Sequence, residues 1–110
     1  MNIIQESSKC SGIKLKIQNK QGKEIGRAFL YVMYNDLHLQ PFGLIEDVFI
    51  VKKMRGHGHG KALVKQVIEL AKEKGCYKLI ATSRHSRSKV HKLYIKLGFH
   101  DQGTEFRFDF

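Results

Sequence analysis

Met54 to Leu70 reads MRGHGHGKALVKQVIEL, and it places three glycines at alternate positions directly ahead of a helical pattern. Glycine near a helix start costs about 1 kcal/mol relative to alanine. Gly56, Gly58 and Gly60 therefore predict a backbone that bends sharply or that something approaches closely. Behind them, Leu63, Val64, Val67, Ile68 and Ala71 recur on one helical face with lysines and glutamate opposite, and Gly75 reads as the stop. Ahead of them, LIEDVFIV (Leu44 to Val51) is rich in β-branched and apolar residues and reads as a buried central strand. A strand, a tight glycine turn and a helix together build an anion site. The helix start leaves several N–H groups unpaired and its dipole is positive there. Arg55 and Lys61 flank the turn and add charge. The spacing is neither that of the NTPase loop nor that of the dinucleotide fingerprint.

Outward from this unit, GIKLKIQ (Gly12 to Gln18) alternates Ile13, Leu15 and Ile17 with polar residues, as a half-buried strand does. NKQGK supplies a turn, and EIGRAFLYVMYN a second strand, so an antiparallel hairpin is expected. DLHLQPFG reads as a loop. Beyond the helix, YKLIAT predicts a short strand and SRSKVHKLYIKLG a second amphipathic helix, with Val90, Leu93, Tyr94 and Leu97 on one stripe. TEFRFDF alternates Phe106, Phe108 and Phe110 with charged residues and reads as a closing strand. The order is β-β-β-α-β-α-β, a mixed α/β sheet covered by helices in one domain over residues 1–110.

Composition limits the partners. No run of 18 apolar residues exists, so no transmembrane span is expected, and Met1 to Gln18 lacks a signal-peptide core, which favours the cytoplasm. Cys10 and Cys76 stand in unlike contexts and read as free thiols. His57 and His59 have no acidic or cysteine partner nearby, and His85 and His91 add no zinc spacing, so no metal is expected. Residues Lys52 to Lys96 hold thirteen of the 20 Lys/Arg and only two acids, Glu69 and Glu73, while the rest of the chain is nearly neutral. Such a field attracts polyanions: nucleic acid, an anionic membrane surface, or a phosphate-bearing ligand. A nucleic-acid-binding module is the alternative this charge allows. Against it, the basic half offers only Tyr77 besides Tyr94 for stacking, and no known recognition motif.

RGHGHG (Arg55 to Gly60) matches the Arg/Gln-x-x-Gly-x-Gly/Ala signature of the GNAT superfamily of N-acetyltransferases. IEDVFI precedes it where that family has its fourth strand, and LYIKLGF (Leu93 to Phe99) resembles the family's late LY-x-K-x-GF segment. GCYKL and IEDV are similar to the glucosamine-phosphate N-acetyltransferase branch, and an acidic pair ahead of the loop also occurs in polyamine acetyltransferases. The resemblance covers roughly Gly12 to Phe110. It implies a GNAT fold without the usual N-terminal strand and helices, which would leave one wall of the acceptor cleft absent or supplied by a partner.

The resemblance also implies roles. Val48, Phe49 and Ile50 would splay from the neighbouring strand and bind the pantetheine arm of acetyl-CoA. Arg55, Gly56, His57, Gly58, His59, Gly60 and Lys61 would hold its pyrophosphate. Tyr94 would protonate the departing thiolate, and Glu46 or Asp47 would take the proton of an acceptor ammonium. Strict alternation sends those two carboxylates to opposite faces, so only one of them is expected to act. The family often has Asn or Asp ahead of the late tyrosine, whereas this chain has the basic SRHSRSK; Ser83 to Lys89, with Ser83, Arg84, His85 and Arg87 foremost, are therefore candidates for binding an anionic acceptor or another part of the cofactor. The implied reaction is transfer of acetyl to a primary amine by direct attack in a ternary complex, on a small molecule or on an amine of a larger substrate. A non-catalytic acyl-CoA sensor is a second alternative. The phenylalanine strand is expected either in the monomer core or, as a sheet edge, in a homodimer.

Overall fold

In the computed structural model, which describes residues 1–110, the alternating N-terminal half forms the expected hairpin. β1 (Cys10–Gln18) and β2 (Glu24–Met33) pair antiparallel, with Ile13 opposite Leu30 and Leu15 opposite Ala28. Asn19 closes the turn, its Oδ1 accepting from the N–H groups of Gln21 and Lys23 at 3.0 and 2.9 Å. β3 (Phe42–Ile50) pairs antiparallel with β2, and β4 (Leu79–Ala81) pairs parallel with β3. The four strands stand in the order β1-β2-β3-β4. A 3-10 turn (Lys52–Met54) leads through the glycine run into α1 (His59–Glu73), which crosses from β3 to β4; α2 (Ser88–Lys96) follows β4.

Strand and helix periodicities meet in one core. Ala28, Leu30, Val32 and Ile45 from the sheet pack on Leu63, Val64, Val67 and Ala71 of α1. Leu30, Val64 and Val67 are fully buried, each contributing about 1.5–3 kcal/mol. Tyr94, Leu97 and Phe99 pack against the margin of this core and fasten α2 to it.

Both helices end on glycine, for a reason visible in the hydrogen bonds. Gly75 and Gly98 have φ 78° and 101°. The N–H of Cys76 donates to Ala71 O and that of Gly75 to Lys72 O, while Phe99 N–H reaches Tyr94 O and Gly98 N–H reaches Ile95 O, all at 3.0 Å. Each is the paired closure that satisfies the last carbonyls of a helix. In α2 it also accounts for the LYIKLGF pattern: the ring after the glycine packs on the ring four residues before it, Phe99 on Tyr94 at 5.2 Å between centroids.

One expected element is not formed. Residues 101–110 carry no regular secondary structure and all are exposed, so the observed order is β-β-β-α-β-α. Phe106, Phe108 and Phe110 are 92, 82 and 113 % exposed. Alternation prepares a strand for a sheet, but a strand also needs a neighbour, and residues 101–110 pair with neither edge strand, β1 or β4.

Candidate functional site

The site begins where two strands part. β4 pairs with β3 only from Gly43 to Ile45. Beyond that point the Glu46–Ile50 stretch has β2 on one side and no strand on the other. Strand pairing on that side thus ends before Val48, Phe49 and Ile50, and apart from Ile50 O, which accepts from Arg55 Nε at 2.8 Å, the backbone groups of that edge have no strand partner.

The strand is also irregular there. Phe29 opposes Glu46 but Arg27 opposes Phe49, so Asp47 and Val48 together face Ala28. Asp47 takes φ 50°, the only positive φ outside glycine, a conformation its short polar side chain tolerates better than most. This bulge overturns the expectation of strict alternation. The extra residue keeps both Glu46 and Asp47 exposed and returns Val48 and Ile50 to the core side. Phe49 falls on the opposite face, between the guanidinium groups of Arg27 and Arg55 at 4.8 and 5.3 Å from its ring centroid.

The free edge runs into the start of α1. That helix has no side-chain cap and no acid in its first turn, so its first N–H groups are open. Gly56 and Gly58 require glycine, with φ 83° and 82°. Gly60 does not: its φ is ordinary, and a Cβ there would meet only Ile50 Cγ1 at 3.9 Å. The residue is therefore unexplained by the fold, and its missing side chain keeps space free in a cleft of ≈ 490 Å³. Arg55, Gly56, Gly58, His59, Gly60 and Lys61 line that cleft; His57 is exposed and is not part of the lining. Arg55 is partly committed elsewhere, its Nε donating to Ile50 O at 2.8 Å.

Tyr94 lies half-buried on α2. Burial pushes its phenol above the ordinary 10.0; the Arg87 guanidinium opposes this and the Glu46 carboxylate adds to it. The hydroxyl thus holds its proton at neutral pH, and of the two acidic candidates it is Glu46 whose charge reaches it. Arg84, His85 and Arg87 are exposed in the turn between β4 and α2, where Arg87 N–H donates to Arg84 O. Ser83 is different: its Oγ is buried and has no hydrogen-bond partner, an arrangement that favours an added polar neighbour. A second hollow of ≈ 470 Å³ lies over the start of α2, lined by Ser86, Arg87, Ser88, Lys89 and Val90. Cys76 has its thiol pushed up by burial and is a poor nucleophile. No helix is long and apolar enough to cross a membrane.

Sequence reasoning reached one wall only in part, through the basic segment ending at Lys89, and missed Val90 and Leu93. Lys89, Val90 and Leu93 of α2 face the glycine turn across the first cleft. The i, i+4 spacing of Lys89 and Leu93 signals a shared helix face, but nothing local announces that this face meets a turn some thirty positions earlier. The bulge at Asp47 was equally silent, because the acidic pair occupies a run that reads as continuous strand.

Residues 11–99 match the acetyltransferase (GNAT) family. A glucosamine 6-phosphate N-acetyltransferase of Trypanosoma brucei brucei is 42% identical over 67 residues, 61% of this chain and 44% of that protein. A probable glucosamine 6-phosphate N-acetyltransferase 2 of Oryza sativa subsp. japonica is 36% identical over 63 residues, 57% of this chain and 36% of that protein. The aligned part is thus less than half the length of these curated relatives. Among solved structures, an acetyltransferase of Trypanosoma brucei superposes with a TM-score of 0.82 at 31% identity, covering 90% of this chain and 69% of the other. The glucosamine-6-phosphate N-acetyltransferase of Arabidopsis thaliana, at 23% identity, shares the fold with a TM-score of 0.80 over 90% of this chain and 67% of the other. With the parted strands, the open glycine turn and the capped tyrosine helix all inside the matched span, the chain belongs to the acetyltransferase (GNAT) family.

Proposed function

We propose that the chain is an acetyl-CoA-dependent N-acetyltransferase acting on a primary amine by direct attack in a ternary complex. One observation carries the reading: the unpaired edge of β3 beyond Ile45 leads into an uncapped helix start whose Gly60 has no structural need to be glycine. An extended amide-bearing arm ending in a pyrophosphate fits that sequence of surfaces. The β3 edge at Val48–Ile50 hydrogen-bonds the arm, and the Gly56–Lys61 turn receives the pyrophosphate through backbone N–H groups.

In this reading Glu46, exposed and within electrostatic reach of Tyr94, takes a proton from the acceptor ammonium, directly or through water. The freed nitrogen attacks the thioester carbonyl, the carbon–sulfur bond breaks, and the Tyr94 hydroxyl supplies the proton that the leaving thiolate takes up, while the proton the nitrogen sheds on becoming an amide restores the Tyr94 phenol through solvent. Holding both reactants together provides much of the acceleration. The basic turn from Ser83 to Lys89 favours an anionic acceptor. The names of the relatives make glucosamine 6-phosphate the first acceptor to try. A second chain would cover the exposed phenylalanines of residues 101–110; a light-scattering mass of 12.7 kDa at high concentration would exclude such a dimer.

Calorimetric titration with acetyl-CoA and with CoA tests the reading, repeated on Gly58→Trp. The expected result is micromolar binding that the folded variant loses, followed by turnover in a screen of amine acceptors. Binding without turnover on any amine would point to a sensor. No binding by the folded wild type would leave the family shape alone.

A further inference from the structure

We infer that Lys89 is a second clamp on the cofactor's pyrophosphate, gripping it from the wall opposite the glycine turn. The inference rests on the cofactor site proposed above and adds a residue from a different element. Lys89 sits in the first turn of α2 and lines the same cleft as Gly56, Gly58 and Gly60. A phosphate lying on the open N–H groups of α1 is held from one side only; an ammonium from α2 holds it from the other.

The distribution of charge makes this second hold necessary. Of the cations lining the cleft, Arg55 is tied back, with Nε on Ile50 O at 2.8 Å and its guanidinium over the Phe49 ring. Lys61 and Lys89 remain, and neither forms an ion pair within the chain. The lining contains no carboxylate. Between Lys52 and Lys96 the only acids are Glu69 and Glu73, both in the later turns of α1. Lys89 is therefore exposed, unneutralised and directed at a site built for anions. Its ammonium forms charge-assisted hydrogen bonds to a phosphate oxygen, and Val90 and Leu93 bring an apolar wall beside it.

Titration calorimetry on the full chain tests this with CoA and with 3′-dephospho-CoA, using wild type, Lys89→Ala, Lys89→Glu and, as a control for the general field, Lys92→Ala from the exposed side of α2. Both residues are exposed, so melting temperatures should not move. Lys89→Ala is expected to weaken both ligands by about tenfold. Lys89→Glu should weaken them further, and Lys92→Ala by less than about twofold. Added salt should narrow the gap between wild type and Lys89→Ala. Unchanged affinity in Lys89→Ala overturns the clamp. So does a loss that disappears with 3′-dephospho-CoA, which moves the contact to the other phosphate, or an equal loss in Lys92→Ala, which leaves only a diffuse field. If wild type binds neither ligand, the cofactor site itself falls; the other three outcomes remove Lys89 alone.

Discussion

Gly58 and Gly75 bracket α1 in nearly the same backbone conformation, φ 82° and 78°, yet the two ends of the helix are finished differently. At Gly75 the chain folds back so that Cys76 and Gly75 donate to Ala71 and Lys72, and the exposed carbonyls are consumed within the protein. At Gly58 no side chain turns back to the first N–H groups, and no acid stands near them. The Gly98 end of α2 repeats the closed arrangement, with Phe99 packed on Tyr94. A left-handed glycine therefore marks a helix terminus without saying whether that terminus is closed. What separates the ends is whether the chain supplies its own hydrogen-bond partners, and the proposed function puts the pyrophosphate at the end of α1 where it does not.

The largest expected effect probes the closed end of α2, which packs the ring of Tyr94 on Phe99 and under the proposed function leaves its hydroxyl as the proton donor. Tyr94→Phe keeps the contact with Phe99 and removes only the proton donor. Steady-state kinetics should show turnover falling by about 10²-fold or more, with acetyl-CoA affinity and melting temperature nearly unchanged. Unaltered turnover would make Tyr94 a packing residue whose place in the family pattern is explained by the helix cap alone.

The contrast between open and closed ends can be tested directly by crossing two alanines. Gly60→Ala introduces a methyl with room around it in the folded chain and should raise stability by up to about 1 kcal/mol. The same methyl occupies the cleft, so CoA affinity should fall by about tenfold, the value of one lost charge-assisted hydrogen bond. Gly75→Ala forces a side chain into φ 78° and should cost about 1 kcal/mol without touching affinity. Thermal melts paired with calorimetry read both. If Gly75→Ala also lost binding, or Gly60→Ala lost none, the distinction between the ends would fail.

Most of this architecture was legible before the coordinates. The hairpin, the central strand and both helices follow from local periodicity, because α1 buries the face that Leu63, Val64, Val67 and Ala71 define and β2 buries Ala28, Leu30 and Val32. The glycine turn was legible because three helix-weakening residues ahead of a strong helix demand a reason. Three features were not. The bulge at Asp47 depends on a register slip against β2, and the acidic pair looks the same in either register. Arg55 seemed a free cation until the fold laid it over Phe49. The terminal strand failed for the opposite reason: the alternation of Phe106, Phe108 and Phe110 is clear, but within this chain the segment pairs with neither edge of the sheet. Pattern along the chain fixes what a segment can become; pairing across the chain decides whether it does.

The smallest effect concerns protons, and its sign follows from the burial of Tyr94. Burial places the phenol in the fold above the 10.0 it would have when exposed, so the folded chain holds this proton more tightly than the unfolded chain does. The contribution to stability is then complete below pH 10.0 and is lost as pH rises through the folded value. Wild type should lose more stability than Tyr94→Phe on crossing that pH. Lysine deprotonation affects both proteins alike, so the difference between their melting curves isolates the phenol. The ultraviolet tyrosinate band gives an independent reading, since the step missing from Tyr94→Phe should be the late one. An early missing step would mean that the hydroxyl is solvated rather than enclosed, and a phenol so placed would be a weaker guide to where the thiolate leaves.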